Sequence, residues 1–315
     1  MNYYIRHHTL YRYAEPVSFC HNLAHLRPLS DSRQSCRKFR LLIQPDPRSL
    51  RHFEDYFGNH ATYFSIEQPH TELEVTVESE VEMDVYGDQL DFTANLSWEA
   101  AGEQVQRSRN QAMILAREYC YPSKLVGILP ELRRYAEPSF TKGRPFSEAA
   151  QDLTHRIYSE FDFDPNVTDV STPIEDVLRH RHGVCQDFAH LAIGCVRAMG
   201  LPAAYISGYL ETAPPPGKPK LLGADASHAW FAVYQPELGW MQYDPTNDRI
   251  PNNQYIRVAR GRDFDDVSPL KGVIFGGGEE HHVEVSVDVL NTKPTDLPRP
   301  TQAAATDHTK ERKPA

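Results

Sequence analysis

The stretch from Gly183 to Pro202, GVCQDFAHLAIGCVRAMGLP, constrains the fold of this chain more than any other. Phe188, Leu191, Ala192, Cys195 and Met199 form one stripe at helical spacing, and Ala189, Ile193 and Val196 extend it almost all round. A helix apolar on most sides lies at the centre of its domain, so the rest of that domain must be built around this one. Gly200 and Pro202 end it, glycine just past the last turn and proline beyond. Its first residue is Cys185. Helix N-termini carry about half a positive charge and free N–H groups, which favour thiolate over thiol. Lowering a thiol pKa by ~2 units from ~8.5 takes about 2.7 kcal/mol, within reach of a helix end plus an imidazolium. Cys185 is therefore the candidate nucleophile, whereas Cys195, on the apolar stripe, reads as a small buried hydrophobe.

At 315 residues the chain has room for two domains, each with a core. Its net charge is −10 and its pI near 5.8, and no basic stripe stands out, so no nucleic-acid partner is expected. The first eight residues lack the apolar core of a signal peptide. No run approaches the ~18 apolar residues of a membrane span. Five scattered cysteines, odd in number and without a CxxC pair, suit free thiols in a reducing compartment. The expectation is a cytoplasmic protein with no membrane partner.

Residues 1–95 read as a β-rich accessory domain, a small sandwich. The plainest strand is 71–85, where Leu73, Val75, Val77, Val81, Met83 and Val85 alternate with acidic or polar residues. Shorter strands are expected at 3–13, 38–44 and 61–67. Residues 96–160 form a helical connection, including a helix that Ser147 would cap, with Ala150, Leu153, Ile157 and Phe161 on its apolar face. Residues 161–292 hold the core and terminal strands. A short helix over 174–179 precedes the central one, and strands follow at 203–210, 227–234, 240–244 and around Val283–Val289. Residues 211–225, rich in proline and glycine, suggest a surface lid or disorder. Residues 293–315 read as a disordered tail.

Thiol chemistry needs a base to share the proton and a third group to hold that base. A hairpin over 227–244 centred on Pro236 sets His228 and Asp244 opposite each other within a residue or two, on one sheet face. The carboxylate can then hold one imidazole nitrogen and leave the other for Cys185. Cys185, His228 and Asp244 are the expected catalytic residues. The backbone N–H of Cys185 is the first candidate oxyanion donor, and Gln186 is a weaker one because its side chain can point away. Asp187 and His190, three apart, either satisfy each other or hold the helix end.

Gly183-Val184-Cys185-Gln186-Asp187-Phe188-Ala189, Ser227-His228-Ala229-Trp230 and Asp244-Pro245-Thr246-Asn247 together resemble the transglutaminase-like superfamily. The likeness is closest to its bacterial branch, which has its own N-terminal β domain. It extends to Gly208-Tyr209-Leu210, to residues 257–263 and to Asp266-Val267-Ser268-Pro269. It implies an α+β, papain-like core in which a central helix packs on an antiparallel sheet. It also implies a Cys-His-Asp triad at Cys185, His228 and Asp244, with acyl transfer from an amide to water or to an amine. The branch often carries an acidic residue where this chain has Ala232, a departure that touches the pocket wall and not the triad.

The primary expectation is a cysteine peptidase or amidase acting through a thioester on a peptide or protein amide, without cofactor or metal. The alternative is a true protein-glutamine amine transglutaminase. A different class, a non-catalytic metal-binding or scaffold protein, rests on His180, His182, His281 and His282, which lack the spacing of a zinc motif.

Overall fold

A computed structural model describes residues 1–84, 96–165, 168, 170–212, 225, 227–278 and 280–291. Most of the expected lid at 211–225 and the expected tail lie outside these residues. The first strands are β1 (Asn2–Ala24), β2 (Gln34–Gln44), β3 (Ser49–Glu54), β4 (His60–Ile66) and β5 (His70–Met83). Helices α1 (Trp98–Arg107), α2 (Gln111–Arg117), α3 (Pro130–Ala136) and α4 (Phe146–Glu160) follow. After β6 (Asp162–Phe163) come α5 (Ile174–His180), β7 (His182–Gly183) and the central α6 (Cys185–Ala198). The chain continues through β8 (Ala203–Leu210), β9 (Ser227–Gln235), β10 (Gly239–Tyr243) and β11 (Tyr255–Gly261). It ends with α7 (Phe264–Val267), β12 (Leu270–Gly276) and β13 (His281–Leu290).

The core is α+β as expected. Strands run β10-β9-β8-β11, all antiparallel, and α6 lies on one face. Ala203, Tyr205, Ala229, Phe231, Val233, Met241 and Tyr243 meet Phe188, Leu191, Ala192 and Cys195 there, enclosed by α3, α4 and α5. From Phe188 to Met199 every residue is buried, which the nearly all-round apolar pattern requires. Gly200 takes φ +82°, the left-handed conformation that releases the chain from the helix.

Ser147 does not cap α4. Pro145 occupies the cap position with extended backbone (φ −54°, ψ 137°), so the helix starts at Phe146 and Ser147 is buried in its first turn. The Phe146 N–H donates to Leu96 O instead of to a cap side chain.

The strands of the N-terminal β region are joined in one hydrogen-bonded network. The 23-residue β1 is its spine. Its first half pairs with β5 on one side and β13 on the other; its second half pairs with β4 and β12. The last two described strands thus complete the first sheet. Both halves share one core, in which Tyr13, Val17 and Cys20 meet Phe64, Val75 and Val77.

A second apolar layer joins the two sheets: Tyr3, Ile5, Val81, Val287 and Val289 pack with Tyr209, Ile256 and Val258. Polar side chains from the N-terminal region also finish the outer edge of β11. Gln34 bonds both N–H and C=O of Arg257, and Asn59 does the same for Arg260. A bare strand edge is a template for unwanted pairing, and these two amides cover it.

Candidate active site

Cys185 is the first residue of α6, half-buried, with Val184 before it in extended backbone. The start of the helix is held by Asp187, whose Oδ2 accepts from Val184 N–H at 2.8 Å and from Thr168 Oγ1 at 2.7 Å. Gly183 makes this possible, because a Cβ there would sit 2.8 Å from Asp187 Cβ and Oδ2. His190 has another role: its Nε2 accepts from Phe264 N–H at 3.1 Å, docking the start of α7 on the helix.

The β9–β10 hairpin brings the other two residues together one step away from the expected register. Tyr243 faces Phe231, so the turn centres on Glu237 (φ 72°) and Asp244 falls opposite Trp230. His228 and Asp244 are therefore diagonal neighbours on one face, still within reach. His228 Nε2 donates to Asp244 Oδ2 at 2.8 Å. The Cys185 side chain also lies close enough to this ring to act on its charge. With Nε2 committed to the carboxylate, Nδ1 is the nitrogen left for the thiol.

Asp244 is fully buried and richly partnered. Its Oδ2 also accepts from Asn247 Nδ2 and Tyr255 Oη, both at 2.7 Å, and its Oδ1 accepts from Thr246 N–H at 2.9 Å. Burial alone would push this carboxyl up. The bonds from His228, Asn247 and Tyr255 more than offset it and hold the group below its ordinary value. Burial likewise works against charge on His228, but its bond to Asp244 and the neighbouring Cys185 side chain lift the imidazole to about 10. The ring is thus held as imidazolium over the neutral range.

Trp230 packs against this pair. Its indole lies nearly parallel to the His228 ring (centroids 5.8 Å apart, 27°) and donates Nε1–H to Gln242 Oε1 at 2.7 Å. Tyr255 meets Trp230 edge-on at 5.3 Å. Gly208, paired with His228 across β8 and β9, has no room for a side chain: a Cβ would lie 2.1 Å from Ile256 O and 2.6 Å from the Trp230 ring. Tyr255 and Asn247 were not anticipated from sequence. Asn247 follows Asp244 closely enough for a turn, whereas Tyr255 arrives from β11 and carries no local signal.

Gln186 Nε2 donates to Val170 O at 3.3 Å, so its amide is turned away from the thiol. His180 and His182 stack on each other (5.7 Å, 18°) and line a polar cavity of about 350 Å³ with Thr168, Ser171, Thr172 and Asp176. His282 bonds Glu284, and His281 meets the Tyr13 ring. Among the described residues, no group of three or more His, Cys, Asp or Glu side chains could hold a metal ion. All five thiols are unpaired. Among the described residues no helix is long and apolar enough to cross a membrane.

Comparison with known proteins agrees with this architecture. Residues 3–82 match the bacterial transglutaminase-like N-terminal region, and residues 133–245 match the transglutaminase-like superfamily. An uncharacterised protein of Mycobacterium bovis is 41% identical over 295 residues, covering 91% of this chain and 92% of its own length. A protein-glutamine gamma-glutamyltransferase of Pseudomonas aeruginosa is 30% identical over 119 residues, 35% of this chain and 17% of that protein. The crystal structure of a candidate cysteine protease from Cytophaga hutchinsonii superposes with a TM-score of 0.67 at 21% identity, covering 94% of this chain and 92% of that one; it shares the fold. The chain belongs to the transglutaminase-like superfamily, with a papain-like core behind a bacterial transglutaminase-type N-terminal β region.

Proposed function

We propose that the protein is a cysteine peptidase or amidase that cleaves a peptide or protein amide through a thioester on Cys185. The observation that carries this reading is the His228 ring, hydrogen-bonded to the buried Asp244 and close enough to the Cys185 thiol at the start of α6 to interact with it. Asp244 fixes the ring and stabilises its imidazolium form. The Cys185 sulfur attacks the amide carbonyl carbon, forming a C–S bond. His228 gives its Nδ1 proton to the leaving nitrogen as the C–N bond breaks. Water then adds to the thioester while His228 takes its proton, the C–S bond breaks, and a carboxylate leaves. The oxyanion formed in each step lies at the first turn of α6. Backbone N–H groups there have no intrahelical acceptor, and that of Cys185 is the nearest donor.

A second reading replaces water by an amine, giving transfer instead of hydrolysis. The partial similarity to a protein-glutamine gamma-glutamyltransferase favours it. Both readings use the same three residues and no cofactor. The unpaired thiols support a reducing, cytoplasmic setting.

Two assays on the purified full chain test the proposal: hydrolysis of a peptide library, and incorporation of a labelled amine into glutamine-containing protein. Wild type is expected to score in the first, and Cys185→Ala in neither. Alkylation by iodoacetamide at pH 6, mapped by mass spectrometry, is expected at Cys185 ahead of the other four cysteines. Activity retained in Cys185→Ala protein overturns the mechanism. Amine incorporation without hydrolysis selects the second reading.

A further inference from the structure

On the sheet face away from α6, a cleft of about 470 Å³ opens between the core and the N-terminal loops. That volume suits a small ligand. The half-buried Trp240, with the buried Ile206 and Ala232 beneath it, forms an apolar floor, and three arginines, Arg33, Arg257 and Arg260, stand around it. Arg257 is paired with Asp31 at 2.7 Å, the one carboxylate in the lining. Among the described residues, neither Arg33 nor Arg260 has a carboxylate partner. The Arg260 guanidinium lies 5.1 Å over the Trp240 ring, yet its Nε is buried with no hydrogen-bond acceptor. A buried charged donor left without an acceptor is costly, and three cations against one anion is a marked excess in a chain of net charge −10.

The geometry points to this cleft as a binding site for a small organic carboxylate, held by Arg260 and Arg33 with its carbon chain on Trp240. Guanidinium forks match carboxylate oxygens in pairs, and the mixed floor favours an anion with an apolar body over a bare inorganic one. The Ala232 methyl group lies fully buried beneath this floor. A longer acidic side chain at that position would place an internal carboxylate in the same space.

Calorimetric titration of the full chain with glutarate, at constant ionic strength, tests the site, with inorganic phosphate as the competing anion. Saturable one-to-one glutarate binding is expected in wild type. Arg260→Gln and Ala232→Glu are each expected to weaken it about tenfold or more, the scale of losing a charge-assisted hydrogen bond. Arg33→Ala, at a half-exposed loop position, is expected to weaken it too and decides the matter if either other variant fails to fold. Cys185→Ala protein is expected to bind as wild type does, which separates this site from the proposed chemistry. No saturable heat with glutarate, phosphate binding as tight as glutarate, or unchanged affinity in the folded variants overturns the assignment.

Discussion

At the scale of single residues, the candidate site is a lesson in how much a carboxylate depends on what surrounds it. Asp244 has no exposed surface, so its charge survives burial through four hydrogen bonds, three from side chains and one from Thr246 N–H. Each side-chain donor then has a predictable weight. Asp244→Asn is expected to lower kcat by about three orders of magnitude, because an amide cannot hold His228 in the same protonation and orientation. Tyr255→Phe removes one bond to the carboxylate and leaves the ring packing on Trp230. It is expected to lower kcat about tenfold with KM little changed, since the loss of one charge-assisted bond is worth about 1.5–3 kcal/mol. Steady-state kinetics on the substrate found in the peptide screen checks both. Loss in Tyr255→Phe confined to KM would place the phenol in substrate binding and not in holding Asp244. His228 and Asp244 were legible because a hairpin relates its two strands by simple register. Tyr255 was not, since no rule of local spacing ties β11 to the end of β10.

At the scale of elements, close approach explains the glycines that recur in the motifs. Gly208 lies where β8 is pinched between His228 on β9 and a bulge in β11 between Arg257 and Ala259. Gly208→Ala forces a methyl group into Ile256 O and the Trp230 ring, so β11 must move away. The expected cost is about 2 kcal/mol or more, as in other overpacked cores, with activity falling as Trp230 shifts on His228. Urea denaturation with tryptophan fluorescence measures it, and an unchanged midpoint would mean the strands part freely. The central helix α6 was the most legible element, because its apolar pattern, its end at Gly200 and its buried position are one physical statement. Even so, local spacing did not reveal the partners of two of its three buried polar residues. His190 and Arg197, seven apart on one side, both reach the segment after β11: His190 accepts from Phe264 N–H, and Arg197 donates to Arg262 O at 2.6 Å. Their purpose is set by a chain segment some 65 residues downstream, which no helical period reveals. Strand β3 escaped notice for a simpler reason. It is exposed along nearly its whole length and pairs only with β4, so it shows no alternation.

At the scale of the whole molecule, the expected division by sequence position does not follow the hydrogen bonding, since β12 and β13 complete the sheet that β1 begins. The apolar layer between the sheets adds to this, so one cooperative unit is expected despite the two motif regions. Buried in that junction is His7, whose Nδ1 bonds Tyr209 Oη at 2.9 Å and whose Nε2 bonds Thr9 Oγ1 at 3.1 Å. Burial, and secondarily His8, hold its pKa down to about 4, and burial holds His190 in the core at about 4 as well. Between pH 6.5 and 4 the unfolded chain binds these protons and the folded one does not, so stability falls as pH drops through that window. A displacement of that size is worth about 3 kcal/mol for each group at its full extent. His228 acts in the opposite sense: raised to about 10, it stabilises fully below pH 6.5 and loses that contribution as pH rises through 10. Maximal stability is therefore expected near pH 6.5, with acid loss removed in part by His7→Gln, which keeps a polar side chain without the titrating ring. All three tryptophans, Trp98, Trp230 and Trp240, lie outside the first sheet. Fluorescence thus follows the core, while hydrogen exchange of peptides from β1 and β5 follows the first sheet. Melting as pH falls from 7 to 4 should lower both signals together, and by less in His7→Gln. If β1 and β5 open well before the fluorescence changes, the two sheets are separate folding units and the junction around His7 and Tyr209 is only a contact between them.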